Sequence, residues 1–166
     1  YRNATYVCRH VTEALLGQMK KKEYSEITVS DLVVVAQVSR SSFYRNFTGK
    51  DDIIEKYLRS LLELWRKDYE SSPGQELSDS LLRHYYGHRD FYLLLYRSGL
   101  SWMVFKSIRE ACGVTKEQPA IYAYGAASMA GAIFGWADEW ISRGMKETPE
   151  ELKMLAEEIR RRAESS

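Results

Sequence analysis

At 166 residues the chain has room for one large domain or two small ones, and roughly 70% of the surface of an unfolded chain this size can be buried, so no staple is required. Apolar residues at 45% and charged residues at 28% exclude wholesale disorder, and two cysteines, Cys8 and Cys112, exclude a disulfide scaffold and suit a reducing compartment. The net charge of +1 hides an asymmetry: residues 1–50 carry eight Lys/Arg against four acids, whereas the remaining 116 carry 16 against 19. A basic first third on an acidic remainder points to a polyanion-facing module joined to a part with another task. No basic leader followed by an apolar core opens the sequence, so a cytoplasmic location is expected.

In chain order, Val7, Val11, Ala14, Leu15, Gln18 and Met19 recur at helical spacing and predict a first helix over about residues 2–21. Lys20, Lys21 and Lys22 close it, where cations suit the negative end of the helix dipole. Thr28 and Asp31 then stand at N-cap and N3 of a short second helix, with Ile27 and Leu32 at the staple positions. Three β-branched residues, Val33 to Val35, favour a strand, but the cap directly before them and Ala36 after them decide for helix. A turn at Gln37-Val38 leads to Ser39, which can cap a third helix from Arg40 to about Phe47. Thr48-Gly49-Lys50-Asp51 starts a long helix running through Trp65.

Two short helices joined by a tight turn make a helix-turn-helix, whose later helix enters the major groove of DNA. The third helix is polar enough for that use: Ser39, Arg40, Ser41, Ser42, Tyr44 and Arg45 offer hydroxyls, a phenol and two guanidinium forks. Val38, Phe43 and Phe47 supply its core face. Arginine engages guanine edges bidentately, while hydroxyls hold phosphate. Lys50, at the positive end of the next helix, is placed to clamp a phosphate. The plainer reading is a solvated polar face on a small helical domain.

The segment Tyr24-Ser-Glu-Ile-Thr-Val-Ser-Asp-Leu, followed by Ala36 through Lys50 with its string Val-Ser-Arg-x-x-Phe-Tyr-x-x-Phe-x-x-Lys, resembles the DNA-binding domain of the TetR family of bacterial transcriptional regulators. The resemblance covers roughly residues 6–58. It implies a homodimer with an N-terminal three-helix head, residues 1–50, that reads a near-palindromic operator in double-stranded DNA. It also implies a larger helical body, residues 51–166, that often binds a small effector. By the same resemblance Thr28, Ser41, Ser42, Tyr44 and Lys50 fall where family members touch DNA, and Arg40 and Arg45 are the candidates for sequence reading. One departure stands out. The family usually has Gly where this chain has Gln37, at a turn position with positive φ.

The body reads as helical segments punctuated by Pro and Gly, with no alternating strand, so the fold class is all-α with about nine helices. Gln118 to Ala137 carries no charge and is long enough to span a bilayer, but its Gly, Ala and Tyr content argues for close helix packing instead. Tyr122, Ala126, Met129, Ile133, Trp136 and Trp140 follow a 4-3-4-3-4 seam. Thr148-Pro149-Glu150-Glu151 starts a last helix striped by Leu152, Leu155, Ala156 and Ile159. Met129, Ile133, Trp136, Trp140, Leu152, Leu155 and Ile159 are therefore the candidate dimer interface, forming a four-helix bundle with a second copy.

Aromatic residues make up 13% of the chain and concentrate in the body. Trp65, Tyr69, Tyr85, Tyr92, Tyr96, Trp102 and Tyr122 are candidates to line a cavity for a small apolar or aromatic effector, since a buried tyrosine needs a partner for its hydroxyl. His84 and His88 share a helical spacing, yet no further ligand joins them. No phosphate loop, metalloprotease motif or nucleophile elbow occurs, so neither catalysis nor a cofactor is expected. An adaptor that acts through a protein partner, without DNA or effector of its own, is the competing reading.

Overall fold

The computed structural model describes residues 2–165, with side chains from residue 5. Among the described residues there are nine α-helices, one 3-10 turn and no strand. Helix α1 spans Arg2–Met19, two residues shorter than the spacing predicts, so Lys20 and Lys21 fall in the turn beyond it. The 3-10 turn Tyr24–Glu26 precedes α2 (Val29–Val35) and α3 (Arg40–Asn46). Val7, Val11, Ala14, Leu15 and Met19 of α1 are buried with Leu32, Val33, Phe43 and Phe47. That shared burial sets the crossing of the three head helices. The valine run is helical because Val33 alone of the three faces the core; Val34 and Val35 are exposed.

Helix α4 (Lys50–Glu70) belongs to both halves, packing on α1 in the head and on α7 and α5 in the body. Beyond it come α5 (Leu77–Gly87), α6 (Arg89–Arg97), α7 (Ser101–Ala111), α8 (Ala120–Ser142) and α9 (Pro149–Glu164). Helix α5 ends at Gly87, and His88 closes that helix and opens α6. Helix α8 lies along α7 and α6, while α9 packs on α5. Among the described residues no helix is long and apolar enough to cross a membrane.

Two residues of the expected dimer seam lie inside the protomer. Trp140 is buried, stacked on Tyr86 with ring centroids 6.0 Å apart, and its indole N–H donates to the Glu147 carbonyl at 3.1 Å. Leu152 is buried where α9 meets α5. A seam read from spacing cannot tell which end of an apolar stripe the chain covers with its own helices. Here the C-terminal end of α8 and the first turn of α9 are covered.

Candidate functional site

The head presents α3 by its caps. Thr28 starts α2 with a reciprocal box: its hydroxyl accepts from the Asp31 amide at 3.2 Å, and the Asp31 carboxylate accepts from the Thr28 amide at 3.1 Å. Lys22 pairs with Asp31 at 3.0 Å, and these contacts hold the Asp31 carboxyl below the usual range, Lys22 contributing most. The α2 helix ends in a two-bond cap, Val38 N–H to the Val33 carbonyl at 3.0 Å and Gln37 N–H to Val34 at 3.2 Å. Gln37 sits at φ 53°, the left-handed conformation this cap requires at its outer residue. Ser39 then caps α3 by accepting from the Ser42 amide at 3.1 Å.

Seen from outside, α3 is sorted by face. Phe43 and Phe47 point inward and Val38 is half-buried, while Arg40, Ser41, Tyr44 and Arg45 are exposed. Ser41 and Tyr44 make no side-chain hydrogen bond among the described residues. The Ser42 hydroxyl is already used, accepting from Ser39 Oγ and from Arg45 Nη2, each at 3.0 Å. Arg40 donates to the Ser30 hydroxyl on α2, which ties the first turn of α3 across the helix-turn-helix. Both guanidinium groups remain at the surface on these tethers.

Lys50 departs from the expected free phosphate clamp. Its ammonium donates to the carbonyls of Tyr24 at 2.6 Å, Ile27 at 3.1 Å and Ser25 at 3.5 Å, and lies 4.3 Å from the Tyr24 ring centroid. The Tyr24 hydroxyl in turn donates to Asp51 at 2.5 Å, and burial together with Asp51 pushes that phenol far above its ordinary value. Lys50 therefore locks the start of α4 to the 3-10 turn ahead of the helix-turn-helix. Sequence reasoning also missed Lys56, which donates to the Asn46 carbonyl at the end of α3, pairs with Asp52 at 3.0 Å and covers the Phe47 ring. Its spacing carries no signal for this: Lys56 lies ten residues beyond Asn46, inside α4, and meets the end of α3 only through the fold.

In the body, Trp65, Tyr69 and Tyr85 line one cavity of about 360 Å³, bounded by α4, α5, α7 and α8. Trp65 stacks on Tyr69 with centroids 5.8 Å apart and donates its indole N–H to Ser80 at 2.8 Å. Arg66, Glu70 and Cys112 also line this cavity. A second cavity of about 280 Å³ between α5, α8 and α9 shares Leu81, Tyr85 and Ile133 with the first and is lined by Trp136 and Trp140. The other aromatic candidates lie apart from both. Tyr92 is buried with its hydroxyl 3.0 Å from His84 Nε2, Tyr96 donates to Asp138 at 2.7 Å, and Trp102 and Tyr122 are exposed. These four satisfy their polar atoms elsewhere or face solvent, a difference that aromatic composition does not carry. His84 and His88 lie with ring centroids 5.1 Å apart, and no cluster able to hold a metal ion occurs among the described residues.

The candidate dimer residues that remain exposed lie on two helices. Met129 and Trp136 of α8 and Leu155 and Ile159 of α9 are exposed, Ile133 is half-buried, and Tyr122, also exposed, continues the α8 stripe toward the start of that helix.

Residues 11–57 match the family model for bacterial regulatory proteins of the tetR family. The fold is similar to that of Lin0861 from Listeria innocua, with TM-score 0.79 and 15% identity over 97% of this chain and 92% of that one. It is more loosely similar to the dihydroxyacetone kinase operon activator DhaS, with TM-score 0.50 and 16% identity over 92% and 93% of the two chains. At such identities the likeness concerns the fold alone. No curated protein matches the chain significantly.

Proposed function

Residues 11–57 place this chain among the bacterial regulatory proteins of the tetR family, and on that footing we propose that it is a cytoplasmic homodimeric repressor whose grip on DNA is released by a small effector. The division of labour is a DNA-reading head, residues 1–50, and an effector-binding and dimerising body, residues 51–166. The observation that carries this reading is the sorted face of α3, where Arg40, Ser41, Tyr44 and Arg45 stand free of the core while Phe43 is fully buried. In a dimer two such helices would enter successive major grooves about 34–36 Å apart. Thr28, Ser39, Ser41, Ser42 and Tyr44 position the head on phosphate, Arg40 and Arg45 read bases, and Lys50 supports the head from behind by fixing the start of α4 to the 3-10 turn.

Release follows from differential affinity. An effector that binds the body better when the heads are wrongly spaced shifts the population away from the DNA-competent state. Helix α4 is the mechanical link, because it packs on α1 of the head and walls the body cavity with Trp65 and Tyr69. Three contacts tie it to α7: Lys106 to Glu55 at 2.7 Å, Arg59 to Glu110 at 3.5 Å, and Arg66 to the Ala111 carbonyl at 3.0 Å.

Fluorescence-anisotropy titration against genomic fragments tests the reading. Affinity for the selected fragment should fall by orders of magnitude between low and physiological salt, as neutralised phosphates release their counterions. Arg45→Ala should relax base preference, with one disrupted contact worth about 1–3 kcal/mol of discrimination. Binding that is absent or indifferent to salt would favour the adaptor acting through a protein partner.

A further inference from the structure

Both arginines of α3 are held in place, and each is held by a hydroxyl. Arg40, the first residue of the helix, donates through Nη2 to the Ser30 hydroxyl in the first turn of α2, and this is its one side-chain bond among the described residues. Arg45 donates through Nη2 to Ser42 Oγ at 3.0 Å, and Ser39 Oγ donates to the same oxygen at 3.0 Å. Exposed arginines in the body face carboxylates instead: Arg59 lies 3.5 Å from Glu110, Arg83 3.3 Å from Asp79 and Arg161 2.8 Å from Glu158. Helix α3 carries no acid, and the one acid of α2, Asp31, is turned to Lys22 at 3.0 Å and to the Thr28 amide.

The kind of partner matters to a helix that meets DNA. A carboxylate would fix a guanidinium and cancel its charge. A hydroxyl fixes it and leaves the whole charge for a polyanion. The fork also stays usable, because a guanidinium that gives one N–H to Ser30 keeps more than the pair needed to grip the O6 and N7 edge of guanine. An arginine at the surface has many rotamers to give up when it is ordered at binding. A tether formed in the free protein takes that loss before DNA arrives.

We infer that Ser30 is a positioning residue for base reading: from α2 it aims the Arg40 guanidinium at the groove and touches no base itself. The inference rests on the head reading DNA through Arg40. It makes sequence preference a joint property of both helices of the helix-turn-helix, with α2 supplying the aim and α3 the fork.

Anisotropy titrations of the full chain against the selected genomic fragment, and against an unrelated fragment of equal length, test this role. Ser30→Ala should weaken binding to the selected fragment about three- to tenfold, the ordering cost of one long side chain. Binding to the unrelated fragment, and the slope of log affinity against log salt, should not change, because no phosphate contact is lost. Ser30→Thr, which keeps the hydroxyl, should restore the affinity. With Arg40→Ala in place, Ser30→Ala should have no further effect, the mark of two residues acting as one unit. Unchanged or tighter binding by Ser30→Ala would overturn the inference. The same loss in the Arg40→Ala background would also overturn it, since Ser30 would then meet DNA directly. A lower melting midpoint with equal weakening on both fragments would assign Ser30 to stability and sink the positioning role. A wild-type chain that binds no fragment in a salt-sensitive way defeats the regulator and this inference with it, whereas wild-type binding with Ser30→Ala unaffected defeats the inference alone.

Discussion

His84 shows how one side chain registers its surroundings. It is 8% exposed, next to His88 and hydrogen-bonded to the Tyr92 hydroxyl. Burial, with a smaller contribution from His88, pushes its pKa down to about 4 from 6.5. The folded protein therefore holds this imidazole neutral against the Tyr92 hydroxyl. Between those two values the unfolded chain binds more protons than the native one, so stability rises with pH across that window. Thermal melting from pH 7 to pH 5 should reveal a loss on the order of 2 kcal/mol attributable to this group. His84→Gln, whose amide can either donate to or accept from Tyr92, should flatten that part of the profile; an unchanged slope would show that other groups set it. The helical spacing of His84 and His88 was visible in the sequence, whereas the depth of the pocket around one of them was not, because burial depends on which helices arrive from elsewhere.

At the scale of elements, four helices end in the same pair of backbone bonds. Helices α6, α7 and α8 place Gly99, Gly113 and Gly144 at the left-handed position, whereas α2 places Gln37 there. A side chain in that conformation costs about 1–2 kcal/mol, and glycine returns part of any gain through the extra freedom of its unfolded chain. Gln37→Gly should thus stabilise the head by up to about 1 kcal/mol, read as a higher denaturation midpoint. Gln37→Val should destabilise it, since β-branching makes positive φ a true outlier. A lower midpoint for the glycine variant would mean that the Gln37 side chain contributes contacts of its own. The caps were the most legible features of the chain, because Thr28, Ser39 and Thr148 act within three residues of themselves. Lys50 was legible in place but not in use: its partners, Tyr24 and Ile27, reach it only after the head has folded.

The whole molecule leaves an apolar face on α8 and α9 that the protomer does not cover. Met129 is 54% and Ile159 56% exposed, and a twofold partner presenting the same surface would cover them in a four-helix arrangement. The double substitution Met129→Glu with Ile159→Glu should convert a dimer to a monomer in light scattering behind a sizing column, with helical content retained. A wild-type chain that is already monomeric at tens of micromolar would defeat the expectation. DNA affinity should fall when dimerisation is lost, because one head has half the contacts and no fixed spacing.

What the amino-acid order determined alone is local: all-α class, helix starts and stops, the helix-turn-helix, and the sorting of α3 into a core side and a polar side. Each of these follows from interactions spanning a few residues, so spacing and cap chemistry suffice. Tertiary structure alone decided that Trp140 and Leu152 are spent inside the protomer, that Trp65, Tyr69 and Tyr85 meet around one cavity while Tyr92, Tyr96, Trp102 and Tyr122 do not, and that the Lys50 ammonium faces carbonyls. Those outcomes depend on which surfaces from distant parts of the chain exclude water together, and periodicity along one helix holds no record of its neighbours.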